Sequence, residues 1–95
     1  MVCKINLSKV LAELNEWKTS DDDREAVEKE FNFKDFKSAY SFMTSIALKA
    51  EEVGHHPEWY NVYNKVVITL TTHDVQGLSE KDIILGQFID NQYER

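Results

Sequence analysis

Apolar residues recur three and four positions apart in several stretches, a spacing that predicts amphipathic helices. Such a stripe over residues 5–17 predicts a short first helix. A broader stripe over residues 34–53 predicts a long second helix, and Gly54 suits the left-handed position just past its end. A third helix is expected to begin at Ser79, because Asp82 three residues later completes a capping-box spacing.

Alternation of apolar and polar residues predicts strands elsewhere. Residues 24–33 alternate in this way, which is typical of a half-buried strand. Residues 59–63 and 66–72 are predicted to form an antiparallel pair, with Asn64-Lys65 as the tight turn and Asn accepting the positive φ. On this register His73 continues the second strand, on the face opposite its most apolar residues.

The order of these elements predicts an α+β fold in two layers. A further short strand is expected to open at Trp17, which gives a four-stranded antiparallel sheet with about three helices packed on one face. The 95 residues are interpreted as a single domain, 1–95. A chain this short buries a modest share of its surface, so its size favours oligomerisation.

Composition excludes several classes of function. The net charge is −6, from 17 acidic and 11 basic residues, which argues against a nucleic-acid-binding surface. Cys3 is the only cysteine, so neither an internal disulfide nor a CxxC metal motif can form, and a reducing compartment fits. The sequence has neither a secretory signal pattern nor an apolar run long enough to cross a bilayer. We expect a cytoplasmic protein, with entry into the nucleus as an option.

The three histidines are the most informative polar residues, and all lie between residues 55 and 73. His55 and His56 follow the end of the second predicted helix, where the carbonyl groups favour positive charge, and Glu51 and Glu52 lie one turn earlier. Imidazole titrates near neutral pH and can both give and take protons. These residues, with His73, therefore indicate a general acid–base site.

Two other interpretations of the histidines remain open at this level. Histidines at the ends of helices and strands often serve only as structural hydrogen-bonding groups. Three imidazoles can also bind zinc. However, neighbouring residues such as His55 and His56 rarely both bind one ion, and no H-E-x-x-H or cysteine motif is present. We therefore expect no metal.

Around these histidines the sequence resembles the pterin-4α-carbinolamine dehydratases (4a-hydroxytetrahydrobiopterin dehydratases). The resemblance extends from about residue 24 to the last predicted helix. It rests on Glu51-x-x-x-His55-His56-Pro57, Trp59-Tyr60, Thr72-His73-Asp74 and Asp82, and on the segments Phe31-Asn32-Phe33-Lys34-Asp35-Phe36, Phe42-Met43-Thr44, Pro57–Val66 and Gly77–Ile83.

The resemblance implies an activity. Members of this family convert 4a-hydroxytetrahydrobiopterin to quinonoid dihydrobiopterin and water, and thereby recycle the pterin cofactor of aromatic amino-acid hydroxylases. They use no metal and no organic cofactor. Loss of water requires one proton delivered to the hydroxyl and one removed from a ring nitrogen, which suits histidine acid–base catalysis.

The resemblance also assigns site residues. The catalytic residues it implies are His55, His56 and His73. The residues expected to contact or line the substrate pocket are Glu51, Gly54, Trp59, Thr71, Thr72 and Asp74. Glu51 is expected to orient or support one histidine, and Trp59 is either a wall of the pocket or a core aromatic of its strand. Gly54 departs from the pattern, since relatives often have Asp or Asn there.

The resemblance suggests partners as well. Animal members form dimers and tetramers and act as a dimerisation cofactor of a homeodomain transcription factor. We therefore expect a homodimer or homotetramer that binds a small pterin and neither a membrane nor nucleic acid directly. The alternative function is a non-enzymatic coactivator that binds a partner's dimerisation helix. The predicted helix 34–53 is the expected contact surface, because Leu48 is an apolar residue on its polar side.

Overall fold

The computed structural model describes residues 2–94. These residues form three α-helices and six strands. The helices are α1 (Leu7–Glu13), α2 (Phe36–Val53) and α3 (Glu80–Tyr93). The strands are β1 (Lys4–Ile5), β2 (Lys18–Thr19), β3 (Val27–Asn32), β4 (Glu58–Val62), β5 (Lys65–Leu70) and β6 (Leu78–Ser79), and a 3₁₀ turn spans His73–Val75.

The main sheet has four antiparallel strands in the order β2-β3-β5-β4. Phe31 of β3 lies opposite Val66 of β5, and Trp59 of β4 lies opposite Ile68. A second, two-stranded sheet pairs β1 with β6 and so holds the start of the described chain beside the start of α3. The predicted α+β class and the four-stranded antiparallel sheet are confirmed.

The core lies between one face of this sheet and all three helices. Every second residue of β5 is buried, and each packs in one cluster with apolar residues from the helices. The fully buried members of this cluster are Val10 from α1, Ala39 and Ile46 from α2, Leu85 and Ile89 from α3, Val27, Phe31, Val66, Ile68 and Leu70 from the sheet, and Leu78 from β6. The helices therefore cover a single face, as predicted, and no helix in residues 2–94 is long and apolar enough to cross a membrane.

The first predicted helix was too long. The range 5–17 contains Ile5 in β1 and a helix that begins only at Leu7, where the Asn6 side chain accepts a hydrogen bond from the Ser8 amide. The helix ends before Leu14, whose backbone is extended. Leu14 is nevertheless buried in the core, so the apolar spacing continued after the helical conformation had stopped.

The predicted turn of the hairpin was displaced by one residue. Val62 pairs with Lys65, which makes Tyr63 and Asn64 the two turn residues. The positive φ of 51° falls on Tyr63 and not on Asn64. The Asn64 side chain instead donates a hydrogen bond to the carbonyl of Phe33, and this contact fixes the turn against the end of β3.

The sequence also misplaced His73 on a continuing strand. β5 ends at Leu70, and Thr72 forms a single bridge with Gly77. His73 opens the 3₁₀ turn that this bridge closes, and Gln76 ends the turn with a positive φ of 51°. Strand periodicity therefore does not set the direction of its side chain.

A buried ion pair lies on the inner face of the sheet, where the pattern predicted apolar residues. Lys29 Nζ lies 2.9 Å from Oδ1 of Asp90, and their side chains are 10% and 9% exposed. The same carboxylate accepts hydrogen bonds from the Trp17 indole and from the Asn15 amide. This network joins β3 to α3 and to the segment between α1 and β2.

Candidate functional site

The end of α2 determines where the first two histidines lie. Gly54 has a φ of 68° and ends the helix in the left-handed conformation, as predicted. The amides of Gly54 and His55 both donate to the carbonyl of Ala50, which closes the last turn. The chain then leaves the helix through Pro57, which lacks an amide hydrogen and cannot continue it. His55 and His56 are held on this short exit segment.

His55 is buried and points towards the start of α3. Its Nε2 atom lies 2.7 Å from Oδ1 of Asp82, which is itself fully buried. The other oxygen of Asp82 accepts hydrogen bonds from the Thr72 hydroxyl and the Ser79 amide. Because the carboxylate can only accept, Nε2 of neutral His55 carries the hydrogen, and Nδ1 is left with the lone pair that can take a proton.

His56, unlike His55, is 63% exposed. Its Nε2 atom lies 2.6 Å from Oε2 of Glu51, one turn back on α2. The two neighbouring histidines therefore have different environments, one buried against Asp82 and one exposed beside Glu51.

His73 approaches the same region from the 3₁₀ turn. It is 79% exposed, and its Nε2 atom lies 3.6 Å from Oε2 of Glu58. Glu58 accepts two hydrogen bonds from the Arg24 guanidinium, at 2.6 and 2.9 Å. These hydrogen bonds, against a smaller opposing effect of burial, hold the pKa of the Glu58 carboxyl below its ordinary value.

The three histidines line one cavity of about 400 Å³. This volume is within the range of small-molecule sites. Its lining residues come from the exit of α2, the start of β4, the 3₁₀ turn and the start of α3. They are Gly54, His55, His56, Pro57, Glu58, Thr71, Thr72, His73, Asp74 and Lys81. The structure therefore brings the predicted histidines together, although they span 19 positions of sequence.

Two of the other predicted site residues lie outside this lining. Glu51 contacts Nε2 of His56 through its carboxylate, and this contact can orient the imidazole ring. Trp59 is partly buried and packs against the hydrophobic core from the inner side of β4, in agreement with the core interpretation of this residue.

The two threonines and Asp74 do line the cavity. The Thr71 hydroxyl donates to the backbone carbonyl of Glu25, and the Thr72 hydroxyl is bound to Asp82. Both hydroxyls are therefore used within the protein and support the cavity wall. Asp74 is exposed in the 3₁₀ turn.

Sequence reasoning missed three residues of the site. Glu58 and Lys81 line the cavity, and Asp82 holds His55 from behind. Asp82 carried a signal, because it belongs to the capping box and to the family motif, but its contact with a residue 27 positions away was not visible in the sequence. No sequence pattern marked Glu58 as a site residue, since its contact partner Arg24 is distant in sequence.

The described part of the chain offers no arrangement suited to a metal ion. Within residues 2–94, no group of three or more His, Cys, Asp or Glu side chains is placed to hold one. Two of the histidines instead place Nε2 against carboxylates of the protein.

Known proteins resemble this chain over most of its length. The model of the family described as pterin 4 alpha carbinolamine dehydratase matches residues 4–92. Proteins from two strains of Burkholderia ambifaria are each 59% identical over 68 residues, which covers 72% of this chain and 67% of theirs. A protein of Burkholderia vietnamiensis is 57% identical over 67 residues, 70% of this chain and 66% of its own. All three are named provisionally as pterin-4-alpha-carbinolamine dehydratases.

A solved structure agrees with the fold as well. The crystal structure of a transcriptional coactivator/pterin dehydratase from Brucella melitensis superposes with a TM-score of 0.90 at 38% sequence identity. The alignment covers 96% of this chain and 99% of the other. With a family match over nearly every residue and a solved relative of the same architecture, the chain belongs to the pterin 4 alpha carbinolamine dehydratase family.

Proposed function

We propose that the protein dehydrates 4a-hydroxytetrahydrobiopterin to quinonoid dihydrobiopterin, and so acts in recycling of the pterin cofactor. The observation that carries this proposal is the cavity that three imidazoles share. Family membership supports the general reaction class. The specific substrate and the proton-transfer roles below are part of the proposal.

The chemistry is an elimination of water. The bond between C4a and the hydroxyl oxygen breaks, a double bond forms between C4a and N5, and N5 loses its proton. The departing hydroxyl takes up a proton and leaves as water. No electron is gained or lost overall, so the reaction needs only a proton donor and a proton acceptor in the right places.

The cavity supplies both kinds of group. His55 is held by Asp82 with one nitrogen available as a proton acceptor, and His56 is held similarly by Glu51. His73 has no hydrogen bond of normal length to its neighbour Glu58, so its ring can turn towards a substrate. Placed acid–base groups of this kind are typically worth ~10²- to 10⁴-fold in rate.

A dehydratase assay tests the proposal. We expect the purified protein to accelerate loss of water from 4a-hydroxytetrahydrobiopterin with no added metal. The double variant His55→Ala/His56→Ala and the single variant His73→Ala should each lose most of this rate. An unchanged rate in these variants would refute the site, and loss of activity on chelation, restored by zinc, would support a metal mechanism instead.

A second function is favoured by one comparison. The Brucella melitensis relative is described as both a coactivator and a dehydratase. In this chain α2 exposes Leu48, at 69%, and Tyr40, at 58%, on its solvent side. We propose that this surface binds a second copy of the chain in a homodimer or homotetramer, or the dimerisation helix of a transcription factor.

Two measurements separate this function from catalysis. The oligomeric state is measured by analytical ultracentrifugation of the wild type and of Leu48→Glu, which should dissociate if α2 is the interface. Binding of a partner helix should survive the His55→Ala/His56→Ala change. Simultaneous loss of binding and catalysis in that variant would argue against a separate coactivator surface.

A further inference from the structure

Each of the three histidines has a carboxylate oxygen beside its Nε2 atom. The distances are 2.7 Å from His55 to Asp82, 2.6 Å from His56 to Glu51 and 3.6 Å from His73 to Glu58. The first two contacts have the length of hydrogen bonds, and the third is longer than one. Within residues 2–94, Glu58 is the only acidic residue at ion-pair distance from His73. The third pair therefore repeats the arrangement of the first two in a looser form.

The carboxylate of Glu58 is fixed by Arg24. The guanidinium donates to both of its oxygens, at 2.6 and 2.9 Å, and a bidentate contact of this kind fixes geometry as well as charge. Through Nε, Arg24 also donates to Asp22 at 2.9 Å. The hydrogen bonds from Arg24 hold the pKa of both carboxyls below their ordinary values, so both are ionised at neutral pH. Two carboxylates against one guanidinium leave this group with an excess of one negative charge.

His73 is the histidine with the greatest need of a positioning contact. Its side chain is 79% exposed, whereas that of His55 is 10% exposed. A proton-transfer group is effective only when its ring is held in place relative to the substrate. A carboxylate beside an imidazole can orient the ring and stabilise the imidazolium that forms when the ring takes up a proton. In the protonated ring Nε2 carries a hydrogen, and a small turn of this exposed side chain shortens the distance to the ~2.7–2.9 Å of a charge-assisted hydrogen bond.

We propose that Glu58 is a positioning residue for His73, and that Arg24 acts on His73 through Glu58. The inference rests on the proposed function, because it concerns a histidine that exchanges a proton with the pterin. Neutral His73 is free to turn towards the substrate, and protonated His73 is held by the fixed carboxylate. The ion pair of Arg24 and Glu58 is thereby part of the catalytic arrangement as well as a contact between two segments of the chain.

Steady-state kinetics with 4a-hydroxytetrahydrobiopterin test this inference in the full-length chain. Glu58→Gln keeps an oxygen that can accept from Arg24 but removes the negative charge, so kcat should fall ~3- to 10-fold with KM nearly unchanged. Arg24→Gln should lower kcat less, because Glu58 keeps its charge and loses only its support. If Arg24 acts through Glu58, the double variant should be no slower than Glu58→Gln. Glu30→Gln is the matched control and should keep the kcat of the wild type, because this exposed carboxylate of β3 lies outside the histidine cavity.

NMR relaxation of the His73 ring gives a readout that does not depend on turnover. At about pH 5 an ordinary imidazole is mostly protonated. Glu58 is still largely ionised there, since its pKa is below its ordinary value of 4.5. The ring should be more ordered in the wild type and in Glu30→Gln than in Glu58→Gln, and the signal that is missing from His73→Gln identifies it.

The outcomes separate this inference from the proposed function. An unchanged kcat in Glu58→Gln, or a His73 ring as mobile in the wild type as in that variant, overturns the inference while a normal rate of the wild type upholds the dehydratase function. A further loss of kcat in the double variant overturns the role of Arg24. Failure of the wild type to convert the substrate overturns the proposed function, and this inference with it.

Discussion

Nε2 of His55 lies 2.7 Å from Oδ1 of Asp82, although 27 positions separate the two residues in sequence. The contact joins the exit of α2 to the first turn of α3. Asp82 is fully buried and also accepts from the Ser79 amide, so its position is fixed by the same capping box that starts the helix. The element that begins α3 thereby also orients a histidine of the candidate site.

Replacement of Asp82 should test this orientation. In Asp82→Asn the group facing His55 can present an amide donor instead of an acceptor, so the tautomer and direction of the ring are no longer fixed. We expect kcat for dehydration to fall by ~10- to 100-fold, a part of the usual acid–base contribution, with KM changed much less. Steady-state kinetics on the purified variant measure both quantities.

Ser79→Ala is the matched control, because it removes the capping hydroxyl and its contact with the Thr72 hydroxyl but keeps both side chains of the contact between His55 and Asp82. It should lower stability by ~1 kcal/mol, the usual cost of losing a cap, and retain most of the activity. A loss of kcat as large as that of Asp82→Asn would mean that α3 simply needs its cap, and that Asp82 has no positioning role.

Glu51 and Glu52 offer a second matched pair. Glu51 lies 2.6 Å from Nε2 of His56, whereas Glu52, the next residue, pairs at 3.6 Å with Lys49. Glu51→Gln should lower kcat/KM by ~3- to 10-fold, a modest effect because one contact of an exposed side chain is removed. Glu52→Gln should keep the rate of the wild type. Equal rates in the two variants would show that Glu51 does not support His56.

The ends of the helices around the candidate site could be predicted from local sequence, whereas the side-chain contacts between distant elements could not. The end of α2 at Gly54 and the cap at Ser79 were predictable, because both depend on residues within one turn. The grouping of the histidines was suggested by their clustering and by the family motif. The side-chain partners of His55 and Glu58 were not predictable, since Asp82 and Arg24 reach them from distant elements.

The same limit explains the errors in the sheet. Period-two alternation could not show that Lys29 is buried in an ion pair, because its partner Asp90 lies 61 positions away on α3. The alternation also predicted that β5 continues to His73, whereas the chain turns at the bridge between Thr72 and Gly77. Local patterns determine which residues form an element, but burial of a charge and the exact end of a strand depend on tertiary contacts.

The pair of Lys29 and Asp90 leads to a prediction about stability. Asp90→Ala removes the carboxylate that accepts from the Trp17 indole and pairs with the buried ammonium group of Lys29, which keeps its hydrogen bond to the Asn15 carbonyl but loses this counter-charge. Removing one partner of a buried pair typically costs ~3–5 kcal/mol. Urea unfolding followed by tryptophan fluorescence should show a loss of this order. Glu52→Ala, which breaks the exposed pair with Lys49, should change stability by less than ~0.5 kcal/mol.

The pH dependence of stability should reveal the contact between Arg24 and Glu58. The pKa of Glu58 is below its ordinary value of 4.5 in the folded protein, so its ionisation favours folding. This contribution is complete above that value and is lost as the pH falls through the lowered pKa. Because Glu58 is 43% exposed, we expect Glu58→Gln to cost only ~0.5–1 kcal/mol at pH 7.

A comparison of unfolding at pH 7 and pH 3 checks this prediction. The difference between the wild type and Glu58→Gln should be largest at pH 7 and should shrink at pH 3. In an Arg24→Gln background the cost of Glu58→Gln at pH 7 should nearly vanish, since its partner is gone. A cost that is the same at both pH values would assign the effect to packing instead of charge.

Gly54 allows backbone conformation to be separated from substrate contact. Its φ is 68°, and a Cβ placed there would meet no atom within 4 Å, so space does not limit substitution. Gly54→Val should therefore lose ~1–2 kcal/mol of stability from the left-handed backbone alone. Gly54→Asn should lose much less, because Asn tolerates this conformation, and its side chain would enter the histidine cavity. Thermal unfolding measures the loss of stability in both variants. KM for 4a-hydroxytetrahydrobiopterin shows whether the Asn side chain changes substrate binding. Equal destabilisation by Asn and Val would show that something other than the backbone conformation requires glycine here.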